Sequence, residues 1–141
     1  MKIAIASDHA GFALKEKVNK FLANKKIQAK DLGTFSERPV DYPDYAKLAA
    51  KSVSLKKISG AVLICGTGQG MAMAANKFKG VRAAACESIY CAKMSRAHND
   101  SNILCLGARI LSFSKAMKII AVWLDTKFDG GRHLRRVRKI R

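Results

Sequence analysis

The sequence predicts an α/β fold in three layers, α/β/α, around a parallel sheet of about five strands. Two observations carry this. Short apolar runs alternate with stretches whose apolar residues recur at helical spacing, the pattern of βαβ units. One of those runs, Gly60-Ala61-Val62-Leu63-Ile64-Cys65, is apolar throughout, as a central strand covered on both faces must be. At 141 residues, with 49% hydrophobic and 26% charged residues, the chain has the size and composition of one ordinary globular domain that needs no disulfide to hold a core.

Taken in order, residues 2 to 6 read as the first strand, followed by a helix over 12 to 24 whose Phe12, Leu14, Val18, Phe21 and Leu22 supply an apolar face. A weaker strand at 27 to 32 ends at Gly33. A polar loop then carries Pro39 and the run Asp41-Tyr42-Pro43-Asp44-Tyr45. Pro43 can open the next helix, because its missing N–H would be unpaired in a first turn anyway. That helix should run to about Lys57, with Tyr45, Leu48, Ala49 and Val53 on one side. After the strand at 60 to 65 come a glycine-rich turn and a helix with Met71, Ala74, Ala75 and Phe78 on one stripe. Strands at 81 to 86 and 102 to 106 flank a helix at 89 to 97. Two final helices are expected at 113 to 125 and at about 131 to 140. The whole chain, 1 to 141, reads as a single Rossmann-like domain, whose ligand should sit outside the carboxyl ends of the strands.

Composition narrows the setting. Four cysteines, Cys65, Cys86, Cys91 and Cys105, fall at irregular spacing with no CxxC pair, as in a reduced, cytoplasmic protein. A zinc site would need convergent pairs, which Cys86-x4-Cys91 does not provide, so neither metal nor cofactor is expected. No signal peptide and no membrane span can be read. The excess of 27 Lys and Arg over 10 Asp and Glu, a net charge of +17, favours anionic ligands. Most lysines read as solvated helix faces. The aromatic residues fall mostly at core-like positions, so nucleic acid has no stacking platform and is not an expected partner.

Three stretches follow strand ends and can carry chemistry: Ser7-Asp8-His9, Cys65-Gly66-Thr67 and Cys86-Glu87. Asp8 can cap the following helix or bind a ligand. In Cys65-Gly66-Thr67-Gly68-Gln69-Gly70 the alternating glycines let backbone N–H groups turn toward a ligand, and a thiol beside a helix start is placed where the thiolate is favoured. The loop is neither a Walker loop nor a G-x-G-x-x-G dinucleotide turn, because position 71 is Met. Cys86, Cys91 and Cys105 read as small core hydrophobes. His98 closes a helix and is there a cation suited to the helix dipole. Arg132 and Arg136, four apart, share a helix face and match a phosphate, though a solvated basic tail has the same residues.

Together, Ser7-Asp8-His9-Ala10-Gly11, Asp41-Tyr42-Pro43, Cys65-Gly66-Thr67-Gly68-x-Gly70-Met71, Ala75-Asn76-Lys77, Gly80-Val81-Arg82-Ala83, Arg96-x-His98-Asn99-Asp100, Leu106-Gly107-x-Arg109 and Gly130-Gly131-Arg132-His133-x-x-Arg136 resemble the type B ribose-5-phosphate isomerases, in the broader family that also holds the galactose-6-phosphate isomerase subunits. The resemblance implies interconversion of D-ribose 5-phosphate and D-ribulose 5-phosphate through an enediolate, in the non-oxidative pentose phosphate pathway, without a metal. A six-carbon sugar phosphate, such as allose or galactose 6-phosphate, is the alternative substrate. It further implies Cys65 as the base that moves the carbon-bound proton, with Thr67 and the N–H groups of Gly66 through Gly70 on the enediolate oxygens. His98 would open the sugar ring, and Asp8 would assist or bind hydroxyls. The phosphate would fall to His9, Arg132 and Arg136, while Tyr42, Gln69, Asn99 and Arg109 complete the pocket. The family builds its site between two subunits, which implies a homodimer or a dimer of dimers. The galactose-phosphate enzymes divide the cysteine and the histidine between unlike subunits, whereas here Cys65 and His98 share one chain.

Overall fold

The computed structural model describes residues 2–140. Five strands, β1 (Ile3–Ser7), β2 (Ala29–Asp31), β3 (Gly60–Cys65), β4 (Ala83–Ala85) and β5 (Ile103–Gly107), form one sheet in the order β2-β1-β3-β5-β4 with every pairing parallel. The helices are α1 (Phe12–Asn24), α2 (Tyr42–Ser54), α3 (Gln69–Ala75), α4 (Ile89–Ala97), α5 (Phe113–Asp125) and α6 (Arg132–Val137).

Strand side chains alternate between faces, and the two faces differ in size. Ile3, Ile5, Val62, Ile64, Leu104 and Leu106 meet Leu14, Val18 and Leu22 of α1, Ala92 of α4, and Ile119, Ile120 and Trp123 of α5. The opposite face carries Ala4, Ala6, Ala61, Leu63, Cys65 and Cys105 under the alanine-rich α2 and α3, where small side chains permit close approach. This is the expected three-layer architecture, and Cys65 lies on its alanine-rich side.

The bounds of α1, β3, α4 and α5 are those the pattern predicts. α2 stops earlier, at Ser54, because Lys56 turns left-handed (φ 57°) and the Lys57 N–H returns to the Ser52 carbonyl at 2.9 Å. β4 is cut to three residues. Its outer edge at Ala83 is occupied by the Asn76 side-chain amide, which donates to the Ala83 carbonyl at 2.9 Å and accepts the Ala83 N–H at 2.8 Å. β2 likewise shortens to Ala29–Asp31. The carboxyl-terminal helix ends at Val137, short of 140, where the Lys139 and Ile140 N–H groups bond three residues back in tighter turns.

Burial corrects several sequence expectations. Leu48 is half exposed, since Ala46, Ala49, Ala50 and Val53 form the inward stripe of α2. Cys91 is exposed, because α4 turns Ala92 and Ser95 inward. Phe35, Tyr42, Tyr90 and Phe113 are exposed aromatics.

The largest surprise is Lys15, whose side chain is wholly buried on α1. Its ammonium pairs with Asp31 at 2.6 Å and Glu16 at 3.1 Å, and lies 5.5 and 5.2 Å from the Phe12 and Phe35 ring centres. The same Asp31 carboxylate accepts the Asn19 amide and the Gly33 N–H. From Gly33 the chain clasps the end of β1, with Ser7 N–H on the Gly33 carbonyl at 2.6 Å and Thr34 N–H on the Ser7 carbonyl at 2.8 Å. The buried pair thus braces the loop beside Asp8 and His9. No helix among the described residues is long and apolar enough to cross a membrane.

Candidate active site

The carboxyl ends of β1, β3 and β5 gather one set of candidate residues. Asp8 is buried; its N–H donates to the Ile64 carbonyl at 3.2 Å, and its Oδ1 accepts the Gly11 N–H at 3.1 Å. Asp8 thus closes the turn that leads into α1 but does not cap the helix, whose N-cap is Gly11 with no side-chain cap bond. His9 Nδ1 accepts the Val40 N–H at 3.1 Å, so a neutral His9 carries its proton on Nε2, the nitrogen left free for a ligand. Val40 gave no signal in the sequence.

Cys65 ends β3 with 4% of its surface exposed, and its sulfur accepts the Gly68 N–H at 3.1 Å. Gly68 adopts φ 82°, a conformation costly for any side chain, and a β-carbon there would press on the backbone of Cys105 and Leu106. Thr67 is exposed and its Oγ1 accepts the Gln69 N–H at 3.3 Å. Two of the loop's N–H groups expected on an enediolate are thus engaged within the loop. Tyr42 lies against Gly70, where a β-carbon would come 2.5 Å from its ring, and the Arg109 guanidinium lies over Gly66. Asp8, His9, Tyr42, Cys65 to Gly70 and Arg109 therefore share one end of the sheet.

His98, Asn99, Arg132 and Arg136 do not join them. In a parallel sheet the helices run back against the strands, so α4 delivers His98 to the amino end of β5. About 13 Å of strand, four steps of ~3.3 Å from Ile103, separates that edge from Gly107, which pairs with Cys65. The segment before α6 returns to the same place, with the Asp129 N–H on the Ala97 carbonyl at 2.9 Å. His133 of α6 then stacks flat on His98, ring centres 4.1 Å apart and planes 8° from parallel. Asn99 lines the neighbouring cavity of about 1000 Å³ beside Arg82 and Ile140.

The chain matches the ribose/galactose isomerase family description over residues 3–140. It is 43% identical to ribose-5-phosphate isomerase B of Escherichia coli, over 99% of this chain and 93% of that protein. The chain belongs to the ribose/galactose isomerase family. Among solved structures of this family, the Thermotoga maritima ribose 5-phosphate isomerase is 51% identical with a TM-score of 0.96, covering 99% of this chain and 96% of that one. The Mycoplasma genitalium ribose-5-phosphate isomerase B, solved with bound ribulose-5-phosphate, is 43% identical with a TM-score of 0.95, covering 99% and 93%.

Two of the other three thiols are fixed in the core. Burial pushes Cys86 up to about 11 and Cys105, which also faces Cys65, well above the ordinary thiol value, so both stay protonated in the core. His133, a residue that the sequence reading left without a role, is held below the ordinary imidazole value. Partial desolvation is the main cause, with His98, Arg132 and Arg136 adding to it and Asp129 opposing it. The donor atoms of His98, Asp129 and His133 lie within 4.8 Å of one another. The stacked rings point their in-plane lone pairs side by side, so they do not converge on one ion, and the adjacent arginines oppose a cation. Nothing but contact in space could have revealed the pair, since its members are 35 positions apart.

Proposed function

We propose that the chain interconverts D-ribose 5-phosphate and D-ribulose 5-phosphate through an enediolate, without a metal. The observation that carries this reading is that one polypeptide of this family holds both a buried thiol at a glycine loop, Cys65, and His98 beside Arg132 and Arg136 at the opposite sheet edge. One pentose phosphate cannot span the sheet from end to end. The two groups therefore act together when the carboxyl edge of one copy meets the amino edge of another, in a homodimer or a dimer of dimers.

In that assembly Arg132 and Arg136, with His9, hold the phosphate through charge-assisted hydrogen bonds. His98 protonates the ring oxygen and frees the aldehyde, aided by Asp8. The Cys65 thiolate then removes the proton from C2, giving the enediolate; the hydroxyl proton passes from O2 to O1, and the thiol returns its proton to C1, giving the ketose and the free thiolate. A carbon acid of this kind yields its proton only if preorganised donors meet the developing oxyanion, a role that suits Thr67 and the loop N–H groups left uncommitted. Tyr42, Gln69, Asn99 and Arg109 shape the pocket. The setting is cytoplasmic, where the thiol stays reduced.

The test is ketose formation from ribose 5-phosphate by the purified protein in chelator, beside Cys65→Ala. Turnover that survives the chelator and vanishes in the variant is expected. A folded protein with no turnover, or a Cys65→Ala variant that keeps it, overturns the reading.

A further inference from the structure

We propose that His133 is a positioning residue for ring opening: its imidazole lies flat on His98 and sets the plane in which His98 presents its ring nitrogens to the sugar. The inference rests on the reading of His98 given above.

A proton-transferring histidine is ordinarily oriented by a hydrogen bond to its second ring nitrogen, from a carboxylate or a carbonyl. Among the described residues His98 has no such bond: neither of its ring nitrogens has a protein hydrogen-bond partner, although His9 at the other edge is held in this way by Val40. The contact that orients the His98 ring is the parallel face of His133, at 4.1 Å. The second torsion of a histidine side chain is broad, so an unsupported ring at a helix terminus would sweep through many planes. A ring laid on its face restricts that sweep while leaving both nitrogens open to substrate and solvent.

The frame that holds His133 in place belongs to the same corner of the fold. The Asp129 N–H on the Ala97 carbonyl joins the lead-in of α6 to the last turn of α4, and the His133 N–H closes a turn on the Gly130 carbonyl at 3.0 Å. No residue of α6 is buried in the chain, so this helix contributes little to the core and its placement serves the edge it sits on.

Charge completes the argument. The groups facing His133 are His98 on α4, Asp129 on the preceding segment, and Arg132 and Arg136 on α6 itself. A neutral His133 lies against the His98 ring without added repulsion. A protonated one would place a further positive charge beside two guanidinium groups, and the stack would loosen. The stack is therefore kept at neutral pH and lost as the pH falls through the titration of His133.

The experiment compares His133→Ala, His133→Phe and His98→Asn with the native protein on ribose 5-phosphate, across pH. His133→Ala is expected to lower kcat by about 10- to 100-fold, with KM moving by less than about threefold. His133→Phe, which restores a flat face without a titrating group, is expected to recover most of that loss. It should also extend the acid limb of the kcat profile to lower pH, which a merely structural role would not do. In NMR spectra the ring-current shift of the His98 ring protons should vanish in the alanine variant and persist in the phenylalanine one. Native-like kcat in His133→Ala, or equal impairment in both variants, overturns the positioning role. A native protein without turnover, or an unimpaired His98→Asn, overturns the reading of His98 beneath it, so the two failures are told apart.

Discussion

Lys15 offers the sharpest energetic test. Asp31→Asn keeps the shape and the acceptor for the Gly33 N–H but removes the charge opposite a wholly buried ammonium 2.6 Å away. Removing one partner of a buried pair costs about 3–5 kcal/mol, because the other charge is left uncompensated. Glu16, 3.1 Å from the ammonium but half exposed, retains part of the compensation, which places the expected loss near the lower end, about 3 kcal/mol. At ~2–4 °C per kcal/mol for a chain of this size, the melting temperature should fall by about 6–12 °C. The companion Lys15→Met/Asp31→Asn replaces both charges, and the methionine fills the space against Phe12 and Phe35. It should lie within about 1 kcal/mol of the native protein. Urea unfolding at one fixed protein concentration is the assay, since assembly adds concentration-dependent stability. An Asp31→Asn variant within about 0.5 kcal/mol of native, or a double variant no more stable than the single one, would refute the reasoning.

Three other outcomes follow from the site. Co-refolding equal amounts of Cys65→Ala and His98→Asn should restore about one quarter of native activity, because half the pairs are mixed and each carries one intact site; no recovery would mean that the two groups do not meet across copies. Arg136→Ala should weaken sugar-phosphate binding by about 1.5–3 kcal/mol, read by calorimetry, and unchanged affinity would remove it from the phosphate site. Gly11→Ala drives a β-carbon into the Ile64 backbone carbonyl, which cannot move aside, and should destabilise by about 3 kcal/mol in urea unfolding.

Much of this architecture is legible because its elements are self-contained. α1, β3, α4 and α5 have the predicted limits, since each carries its own apolar period and its own end signal. β4 is shorter than its apolar run suggests because its ends are trimmed by distant partners: the Asn76 amide at Ala83, and the side-chain oxygen of Asn102, which accepts the Arg82 N–H. Lys15 reads as a surface lysine because Asp31, the partner that permits its burial, is sixteen residues away. The motifs name the candidate residues, but a motif carries no end of the sheet with it. Only chain direction, strand up and helix down, separates His98, Asn99, Arg132 and Arg136 from Cys65 and Asp8.

The Asn76 amide also bears on how copies of this chain can associate. An open parallel edge is a template on which a neighbour's strand can continue the ladder. At β4 the outward donor and acceptor of Ala83 are both taken by one side chain of the same polypeptide, so an incoming strand must first evict Asn76 and supply two hydrogen bonds merely to break even. Lateral growth into a continuous intermolecular sheet is disfavoured at that point of the edge.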